Sequence, residues 1–334
     1  MSEIRQNMAT KQWVIIASER AKRPEDFADW SRSRPMADVP VYDPECPFCP
    51  GNEEGPEMEV LRLPEGESDW QLRVVKNKYP ALNLDGQRVR QFDGVHRRIS
   101  GVGYHEVVIE TREHNTSLAT QTIEEVSRTF QAFQMRGKEI ALDDRIEHII
   151  YFRNHGPHAG TSLVHPHSQI IGLPVVPFNV RSRMEEAQRY FDDTGICVYC
   201  AMLKDEVKSG QRVVVENEDY VAFLPYAALS PFHIWILPKE HQFSYLMVSP
   251  RAIDTLAEIT RDVLGRLYVG LNDPDYNIVL RSAPAKVWYA DYLHWYLSLI
   301  PRVTQSAGFE LGSGMFINTA LPEDSAEFLR SVKT

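Results

Sequence analysis

The sequence predicts an α+β fold made of two similar halves, each with a mostly antiparallel sheet and packed helices. Short segments in which apolar and polar residues alternate recur along the chain, and one long segment of helical periodicity interrupts them in each half. A set of two cysteines and two histidines occurs twice in the same order, and so does a segment ending in Glu-His, at residues 106–114 and 233–241. This duplication predicts one domain over residues 1–180 and a second over residues 181–334.

The first half is predicted to contain five strands and one long helix. The helix begins after Thr122, where Glu125 completes a capping box, and its apolar face runs through Phe130 to Ile140. The strands are predicted at residues 13–17, 72–75, 106–110, 148–152 and 168–173.

The second half repeats this order. Its long helix is predicted over residues 251–271, where Ser249 and Pro250 mark the beginning. Residues 181–195 are expected to connect the halves, and a final helix is expected at residues 323–332. The strands are predicted at residues 213–215, 220–224, 233–237, 276–280 and 295–300.

The composition excludes some classes of function. The 334-residue chain carries a formal net charge of −10, which argues against a nucleic-acid binder because such proteins present a basic face. The chain has no signal-type apolar run at its start and no bilayer-length apolar segment, so we expect a cytoplasmic protein that does not bind membranes. One basic group, formed by Arg20, Lys22 and Arg23, is either a local site for a small anion or a solvated loop.

All four cysteines lie in two C-x-x-C pairs, and each pair has two histidine partners. The first set comprises Cys46, Cys49, His114 and His165, and the second comprises Cys197, Cys200, His241 and His294. Two thiolates and two imidazoles are a tetrahedral donor set that zinc favours, so the sequence predicts two structural Zn²⁺ sites without an open position. The alternative is a redox dithiol at the start of a helix. The acidic loop after Cys49 argues against it there, whereas a short helix after Cys200 leaves it more open in the second set.

The first set lies beside a candidate nucleophile. His165, His167 and Gln169 alternate along a predicted strand, so their side chains share one face. With His165 bound to a metal, His167 is placed to attack through one ring nitrogen, provided that a hydrogen bond on the other nitrogen, for instance to a backbone carbonyl, fixes its tautomer. The spacing also allows both histidines to bind one metal, but the second set is complete with the single His294.

A glycine-containing loop at residues 154–162 precedes this strand. Glycines and short polar side chains allow backbone amides to approach a phosphate, and the position directly before His165 strengthens an otherwise weak signal. The loop residues concerned are Asn154, Gly156, Gly160 and Ser162. The histidines without a nameable partner, expected to be structural or solvated, are His96, His105, His148, His155, His158 and His233.

These motifs resemble the galactose-1-phosphate uridylyltransferase family of the histidine-triad superfamily along nearly the whole chain. The run from His165 to Gln169 matches the family's His-Pro-His-x-Gln. The resemblance implies a duplicated histidine-triad-like fold and a covalent nucleotidyl-histidine intermediate at His167. Gln169 resembles the transferases of the superfamily, because the hydrolases keep a histidine at that position.

The same resemblance implies the substrate contacts and a homodimer. Asn77 would contact the base or the ribose, and Arg20 and Arg23 would reach a phosphate in the neighbouring subunit's site. The residues that would hold the phosphate in the same subunit are Asn154, Ser162 and Gln169, together with the loop around Gly160.

Two departures make the chain more similar to the plant-type ADP-glucose phosphorylase branch. Gly314 and Ala320 replace the glutamate and glutamine that read the hexose, and a Cys/His set replaces a Glu/His iron site. We therefore expect a nucleotidyltransferase that releases hexose 1-phosphate from a nucleotide sugar and passes AMP or UMP to phosphate or a sugar phosphate. The alternatives are a uridylyltransferase of galactose metabolism, a histidine-triad hydrolase, against which Gln169 counts, and a silent nucleotide-binding or zinc-scaffold protein, against which His167 counts.

Overall fold

The computed structural model describes residues 2–17, 27, 38–66 and 69–334. Arg20 and Arg23, predicted to bind phosphate, lie outside the described residues. The helices are α1 (Ile123–Ala141), α2 (Phe178–Thr194), α3 (Val198–Ser209), α4 (Pro250–Gly270), α5 (Gly308–Ser313) and α6 (Pro322–Ser331). The strands are β1 (Glu3–Gln6), β2 (Trp13–Ile16), β3 (Glu59–Leu63), β4 (Leu72–Lys76), β5 (Arg90–Asp93), β6 (His96–Ile99), β7 (Tyr104–Ile109), β8 (His148–His155), β9 (His167–Leu173), β10 (Val213–Glu216), β11 (Tyr220–Phe223), β12 (Ile234–Pro238), β13 (Tyr276–Arg281), β14 (Tyr296–Pro301) and β15 (Phe316–Asn318).

A ten-stranded antiparallel sheet forms the centre of the molecule. Its strand order is β10-β11-β12-β14-β13-β8-β9-β7-β4-β3, so each half of the chain contributes five adjacent strands. The order in one half mirrors the order in the other, and the duplication predicted from the sequence is therefore present in the topology. The two sheets expected from the sequence form one continuous sheet, because β13 pairs with β8 and places Tyr276 opposite His155.

The two long helices cover one face of this sheet. Helix α1 packs beside α4, and apolar side chains of both enter one large core with Val108, Ile170 and Leu299 of the sheet. The predicted capping box is present: Thr122 Oγ1 accepts from the backbone N–H of Glu125, and the Glu125 carboxylate accepts from the N–H of Thr122. The α+β fold and both long helices were thus predicted correctly from periodicity and capping.

Helices α2 and α3 pack on the opposite face, over the second half. Val198 and Tyr199 of α3 join Trp235, Leu237 and Tyr296 of the sheet in a second apolar cluster. The segment predicted as a connection at residues 181–195 is therefore mostly helical, because α2 runs to Thr194 and ends at the left-handed Gly195. The predicted domain boundary at residue 180 falls inside α2 and stays a prediction.

The predicted strand at residues 13–17 does not belong to the large sheet. Strand β2 lies between β1 and β15 in a three-stranded sheet. It pairs with β1 in antiparallel and with β15 in parallel orientation. Val14 and Ile16 pack there against Ala227. The two ends of the chain thus meet in one sheet. Among the described residues, no helix has the length and apolar character needed to cross a membrane.

Candidate active site

The first predicted metal set forms a buried cluster. Cys46 and Cys49 lie in a turn before β3, His114 follows β7, and His165 precedes β9; all four are buried, and their ligand atoms all lie within 4.8 Å of one another. The Cys49 Sγ lies 3.5 Å from His114 Nδ1 and 3.6 Å from His165 Nδ1. Bonds of about 2.0–2.3 Å to a tetrahedral metal separate its ligands by roughly 3.5 Å, so the cluster fits one metal ion.

The hydrogen bond of the His165 ring leaves its Nδ1 available to bind a metal. Its Nε2 lies 2.8 Å from the backbone oxygen of Thr111. Because a carbonyl oxygen only accepts, Nε2 carries the proton and Nδ1 keeps the lone pair that faces Cys49. Burial lowers the pKa of His165 to about 4 and also lowers the pKa of His114. Both rings are therefore neutral at neutral pH, as metal ligation requires.

The second predicted metal set lies at the equivalent position in the second half of the chain. The ligand atoms of Cys197, Cys200 and His241 lie within 4.8 Å of one another. His294 is outside that distance group, but its ring centroid lies 5.4 Å from that of His241, the same separation as between His114 and His165. The Nδ1 of His294 donates to the Trp295 carbonyl at 2.8 Å, which leaves a buried Nε2 without a hydrogen-bond partner. That orphaned nitrogen is suited to be the fourth ligand.

His167 begins β9, two residues beyond the first cluster, and is not among its ligands. The His167 Nδ1 lies 2.8 Å from the backbone oxygen of His165. Because that oxygen only accepts, Nδ1 carries the proton and Nε2 is unprotonated. Burial lowers the pKa of His167, and so its ring is neutral at neutral pH. A neutral imidazole with a fixed tautomer is the state that a nucleophilic histidine needs.

A buried ion pair lies behind this strand. Glu110 is fully buried, and its two carboxylate oxygens accept from the Arg153 Nε at 3.0 and 3.1 Å. Ser168, between His167 and Gln169, donates to the same carboxylate, and Arg153 Nη1 donates to the hydroxyl of Tyr276 at 3.1 Å. The network joins β7, β8, β9 and β13 under the nucleophile and so fixes the backbone that carries it.

Two cavities meet at His167. One of about 470 Å³ is lined by His114, His165 and Asn154, and it reaches the loop after β8. The other, of about 410 Å³, is lined by Asn77, Ser162 and Gln169, with Phe48 and Met58 among its apolar side chains. His167 and Leu163 line both. The ring can therefore reach a ligand that spans the two cavities.

One histidine that has no partner nameable from the sequence contacts two predicted site residues. His105 Nε2 lies 2.8 Å from Gln169 Oε1 and 3.1 Å from Asn77 Nδ2. The backbone N–H of Ala81 donates to His105 Nδ1 at 3.0 Å, so Nε2 carries the proton and donates to Gln169. This bond directs the Gln169 amide with its NH₂ group towards other acceptors. The pairing of β7 with β9, which places His105 near Gln169, leaves no local signal in the sequence.

The glycine-containing loop is held by residues of β13 and the segment before it. Asn277 Nδ2 donates to the backbone oxygen of Ala159 and to Asn154 Oδ1, both at 2.9 Å, so the Asn154 NH₂ group remains a donor towards the cavity. Asp275 accepts from the backbone N–H of His158 at 2.7 Å. Gly156 and Gly160 have φ angles of +86° and +90°, which residues with a side chain rarely adopt.

The structure also places Gly314 and Ala320, the two positions near the C-terminus that depart from the family pattern. Gly314 ends α5 in the left-handed region, and Ala320 is buried two residues after β15. Neither residue lines either of the two cavities at His167.

Comparisons with known proteins cover nearly the whole chain. The family model described as galactose-1-phosphate uridyl transferase, N-terminal domain, matches residues 1–177. An ADP-glucose phosphorylase from Arabidopsis thaliana is 38% identical over 335 residues, which cover 99% of this chain and 93% of that protein. A galactose-1-phosphate uridylyltransferase from Thermotoga maritima is 27% identical over 343 residues, which cover 100% of this chain and 99% of that protein.

Solved structures have the same fold. The crystal structure of an ADP-glucose phosphorylase from Arabidopsis thaliana with bound ADP-glucose matches with a TM-score of 0.86 and 35% identity, covering 100% of this chain and 99% of that chain. A uridylyltransferase structure matches with a TM-score of 0.75 and 25% identity, covering 99% of this chain and 98% of that chain. Both matches confirm the fold class predicted from the sequence.

Proposed function

Because the chain belongs to the galactose-1-phosphate uridylyltransferase family, we propose that it is a nucleotidyltransferase that acts on a nucleotide sugar through a covalent nucleotidyl-histidine. The observation that carries this proposal is the position of His167 between two cavities, with its Nδ1 proton held by the His165 carbonyl at 2.8 Å. The cavity of about 410 Å³ beside Gln169 would take the nucleoside, and the cavity of about 470 Å³ beside Asn154 would take the hexose phosphate.

The reaction proceeds by two displacements at the α-phosphorus. In the first, the lone pair of His167 Nε2 forms a bond to phosphorus, and the bond from phosphorus to the bridging oxygen of hexose 1-phosphate breaks. In the second, an oxygen of phosphate or of a sugar phosphate attacks the same phosphorus, and the N–P bond breaks. Nδ1 keeps its proton throughout, and the His165 carbonyl stabilises the positive charge that develops on the ring.

Donors around the junction of the cavities would hold the nonbridging oxygens. The NH₂ groups of Gln169 and Asn154 point away from their Oε1 and Oδ1 partners, His105 and Asn277. Ser162, from the loop, lines the nucleoside cavity beside Gln169. Donors that are already oriented before the reaction begins stabilise the charge of the transition state without having to reorganise, and so they lower the barrier. Asn77, which also lines that cavity, would contact the base or ribose.

Zinc is the metal that both Cys/His sets suit. Two thiolates and two neutral imidazoles give a neutral site with no open position, so each Zn²⁺ would be structural. Burial raises the pKa of Cys46 to about 11, so that thiol keeps its proton until a metal displaces it. The second site would comprise Cys197, Cys200, His241 and His294. Zinc in the first site would hold the backbone from which His167 projects.

ADP-glucose is the proposed donor, and phosphate the proposed acceptor. The relative at 38% identity is an ADP-glucose phosphorylase, and the structure at a TM-score of 0.86 contains bound ADP-glucose. Gly314 and Ala320 have no side-chain donors and line neither cavity at His167, so these two positions supply no contact to hexose hydroxyls, which favours phosphate over a second sugar phosphate. A uridylyltransferase acting on UDP-glucose is the second candidate, and the match over residues 1–177 favours it.

The active unit would be a homodimer in the cytoplasm. Arg20 and Arg23 would enter the neighbouring subunit's site and bind its phosphates, as the family resemblance implies. The four free cysteines suit a reducing compartment.

Intact-protein mass spectrometry tests the proposal directly. The protein is mixed separately with ADP-glucose and UDP-glucose without an acceptor, alongside His167→Asn and, as a matched control, His96→Asn on the exposed strand β6. We expect an AMP adduct on the wild type and on His96→Asn, and none on His167→Asn. Added phosphate should remove the adduct and release ADP.

The other outcomes separate the alternatives. A UMP adduct alone would identify a uridylyltransferase. Free nucleotide without an adduct would indicate a hydrolase, and an adduct that persists in His167→Asn would place the nucleophile elsewhere.

A further inference from the structure

A third cavity, of about 220 Å³, lies in the second half of the chain. It is enclosed by the first turn of α2, by β13 and by the beginning of β14, on the same face of the large sheet as the candidate active site. His294 and Tyr296 line it, as His165 and His167 line the first cavity of the other half. It therefore occupies the position that the duplication makes equivalent to the active site.

The residue pairs at the two positions correspond. Arg281 lies opposite Tyr296 in the pairing of β13 with β14. In the first half Arg153 lies opposite Ser168, so Asn154, the next residue of β8, lies beside His167. Tyrosine thus replaces the nucleophile, and arginine replaces a proposed phosphate-holding asparagine. The second position keeps a cavity and gains positive charge but has lost the group that could carry a nucleotide.

Among the described residues, this positive charge has no carboxylate partner. Arg183 of α2 and Arg281 line the cavity, and neither makes an ion pair or a side-chain hydrogen bond with any residue in the described part of the chain. No carboxylate is among the lining residues. Burial and the nearby charge of Arg183 lower the pKa of Arg281. The first turn of α2 adds the positive end of a 17-residue helix.

A buried histidine lies beside the two arginines. His148 lines the cavity and is only 4% exposed, and its Nδ1 has no hydrogen-bond partner in the structure. A buried polar atom without a partner costs free energy unless a ligand or water satisfies it. An oxyanion between Arg183 and Arg281 would satisfy both guanidinium groups.

We propose that this cavity is a non-catalytic site for a phosphate group, either inorganic phosphate or the phosphate end of a small monoester. Guanidinium groups bind phosphate oxygens in pairs. The volume of about 220 Å³ is below the range of roughly 300–1,000 Å³ that drug-sized ligands occupy, which excludes a whole nucleotide sugar. The proposal does not depend on the reaction at His167.

Equilibrium dialysis of full-length protein with radiolabelled phosphate tests this site. The variants are Arg281→Gln and Arg183→Gln, and the matched control is Arg181→Gln, an exposed arginine on the same helix. We expect each cavity variant to bind one phosphate fewer per chain than the wild type, and Arg181→Gln to bind as the wild type does. Equal phosphate binding by the wild type and Arg281→Gln would overturn the proposal.

Thermal denaturation gives a second readout that does not depend on binding at the active site. Removing an uncompensated, half-buried charge should leave the Tm of Arg281→Gln in phosphate-free buffer equal to or above that of the wild type. Phosphate should raise the Tm of the wild type more than that of the variant. A clear fall in the variant's Tm would show that Arg281 has an internal partner, and an equal shift with sodium chloride of the same ionic strength would show general screening; either result contradicts the site.

The same assay separates the two sources of the phosphate group. Glucose 1-phosphate and glycerol phosphate are compared with inorganic phosphate at equal concentrations. A larger Arg281-dependent shift with a monoester identifies a metabolite site, and a larger shift with inorganic phosphate identifies a phosphate site. The absence of an Arg281-dependent shift with any of the three compounds would overturn the proposal.

Discussion

The backbone carbonyl of His165 accepts a hydrogen bond from the Nδ1 of His167 at 2.8 Å, while the side chain of His165 turns its own Nδ1 towards Cys49. One residue thus belongs to the metal cluster through its side chain and orients the candidate nucleophile through its backbone. A metal at the cluster would therefore affect the reaction through position, without touching the substrate.

This relationship predicts that the two metal sites differ in their effect on activity. Cys49→Ser should lose one metal ion per chain and slow nucleotidylation about 10- to 100-fold, because the backbone beside His167 loses its anchor. Cys200→Ser should also lose one metal ion but keep the wild-type rate. Metal content is measured by elemental analysis, and the rate by rapid-quench detection of the adduct. Equal rates in the two variants would contradict the coupling.

The ion pair under the nucleophile predicts a large loss of stability. Glu110→Gln leaves the guanidinium of Arg153 buried without its counter-charge, which costs roughly 3–5 kcal/mol. Urea unfolding at neutral pH measures the change. Glu124→Gln is the matched control, because that carboxylate pairs with Arg128 at the surface with 83% of its side chain exposed, and it should change stability by less than about 0.5 kcal/mol. A loss below about 1 kcal/mol for Glu110→Gln would show that water reaches this pair.

Much of this site follows from local sequence patterns. The alternation of His165, His167 and Gln169 predicted one shared face, and the need for a fixed tautomer predicted a backbone carbonyl as the partner of His167. The structure supplies that carbonyl from His165 itself. Periodicity and capping also predicted α1 and α4, because both helices bury a continuous apolar face and begin at residues whose side chains cap them.

The features that were not predicted depend on contacts between distant segments. Helix α2 has one buried residue, Ala187, so few apolar positions in its sequence distinguish it from a connection between the halves. The contact of His105 with Gln169 requires the register of β7 against β9. The joining of both halves in one sheet requires β13 to pair with β8, and the parallel pairing of β15 with β2 requires the chain ends to meet. None of these pairings leaves a local pattern.

A largely buried ion pair after α1, in which the Asp143 side chain is 13% exposed, predicts a stability difference that depends on pH. Hydrogen bonds from Arg145 and from the hydroxyl of Tyr104 lower the pKa of Asp143 from 3.8 to about 2. The folded state therefore binds this proton more weakly than the unfolded state, and the stabilisation is complete above pH 3.8 and lost as the pH falls towards 2.

Asp143→Asn should accordingly cost about 2 kcal/mol at pH 7, from the shift in pKa, and progressively less below pH 4. Urea unfolding between pH 7 and pH 3 measures the difference from the wild type. Asp144→Asn is the control, because this fully exposed neighbour lies 3.4 Å from Lys286, and we expect it to change stability little at any pH. A difference for Asp143→Asn that stays constant down to pH 3 would refute the assigned pKa.

The loop beside the nucleophile gives a prediction with a matched glycine. A Cβ at Gly156 would lie 1.7 Å from Asp275 Oδ1, whereas a Cβ at Gly195, also with positive φ, would have no atom within 4 Å. Gly195→Ala should therefore lose only the backbone cost of about 1–2 kcal/mol. Gly156→Ala should lose at least about 1 kcal/mol more, because Asp275 must move and release the N–H of His158. The same displacement should slow adduct formation in Gly156→Ala but not in Gly195→Ala. Equal stabilities and equal rates in the two variants would mean that the loop adapts without moving the phosphate-holding groups.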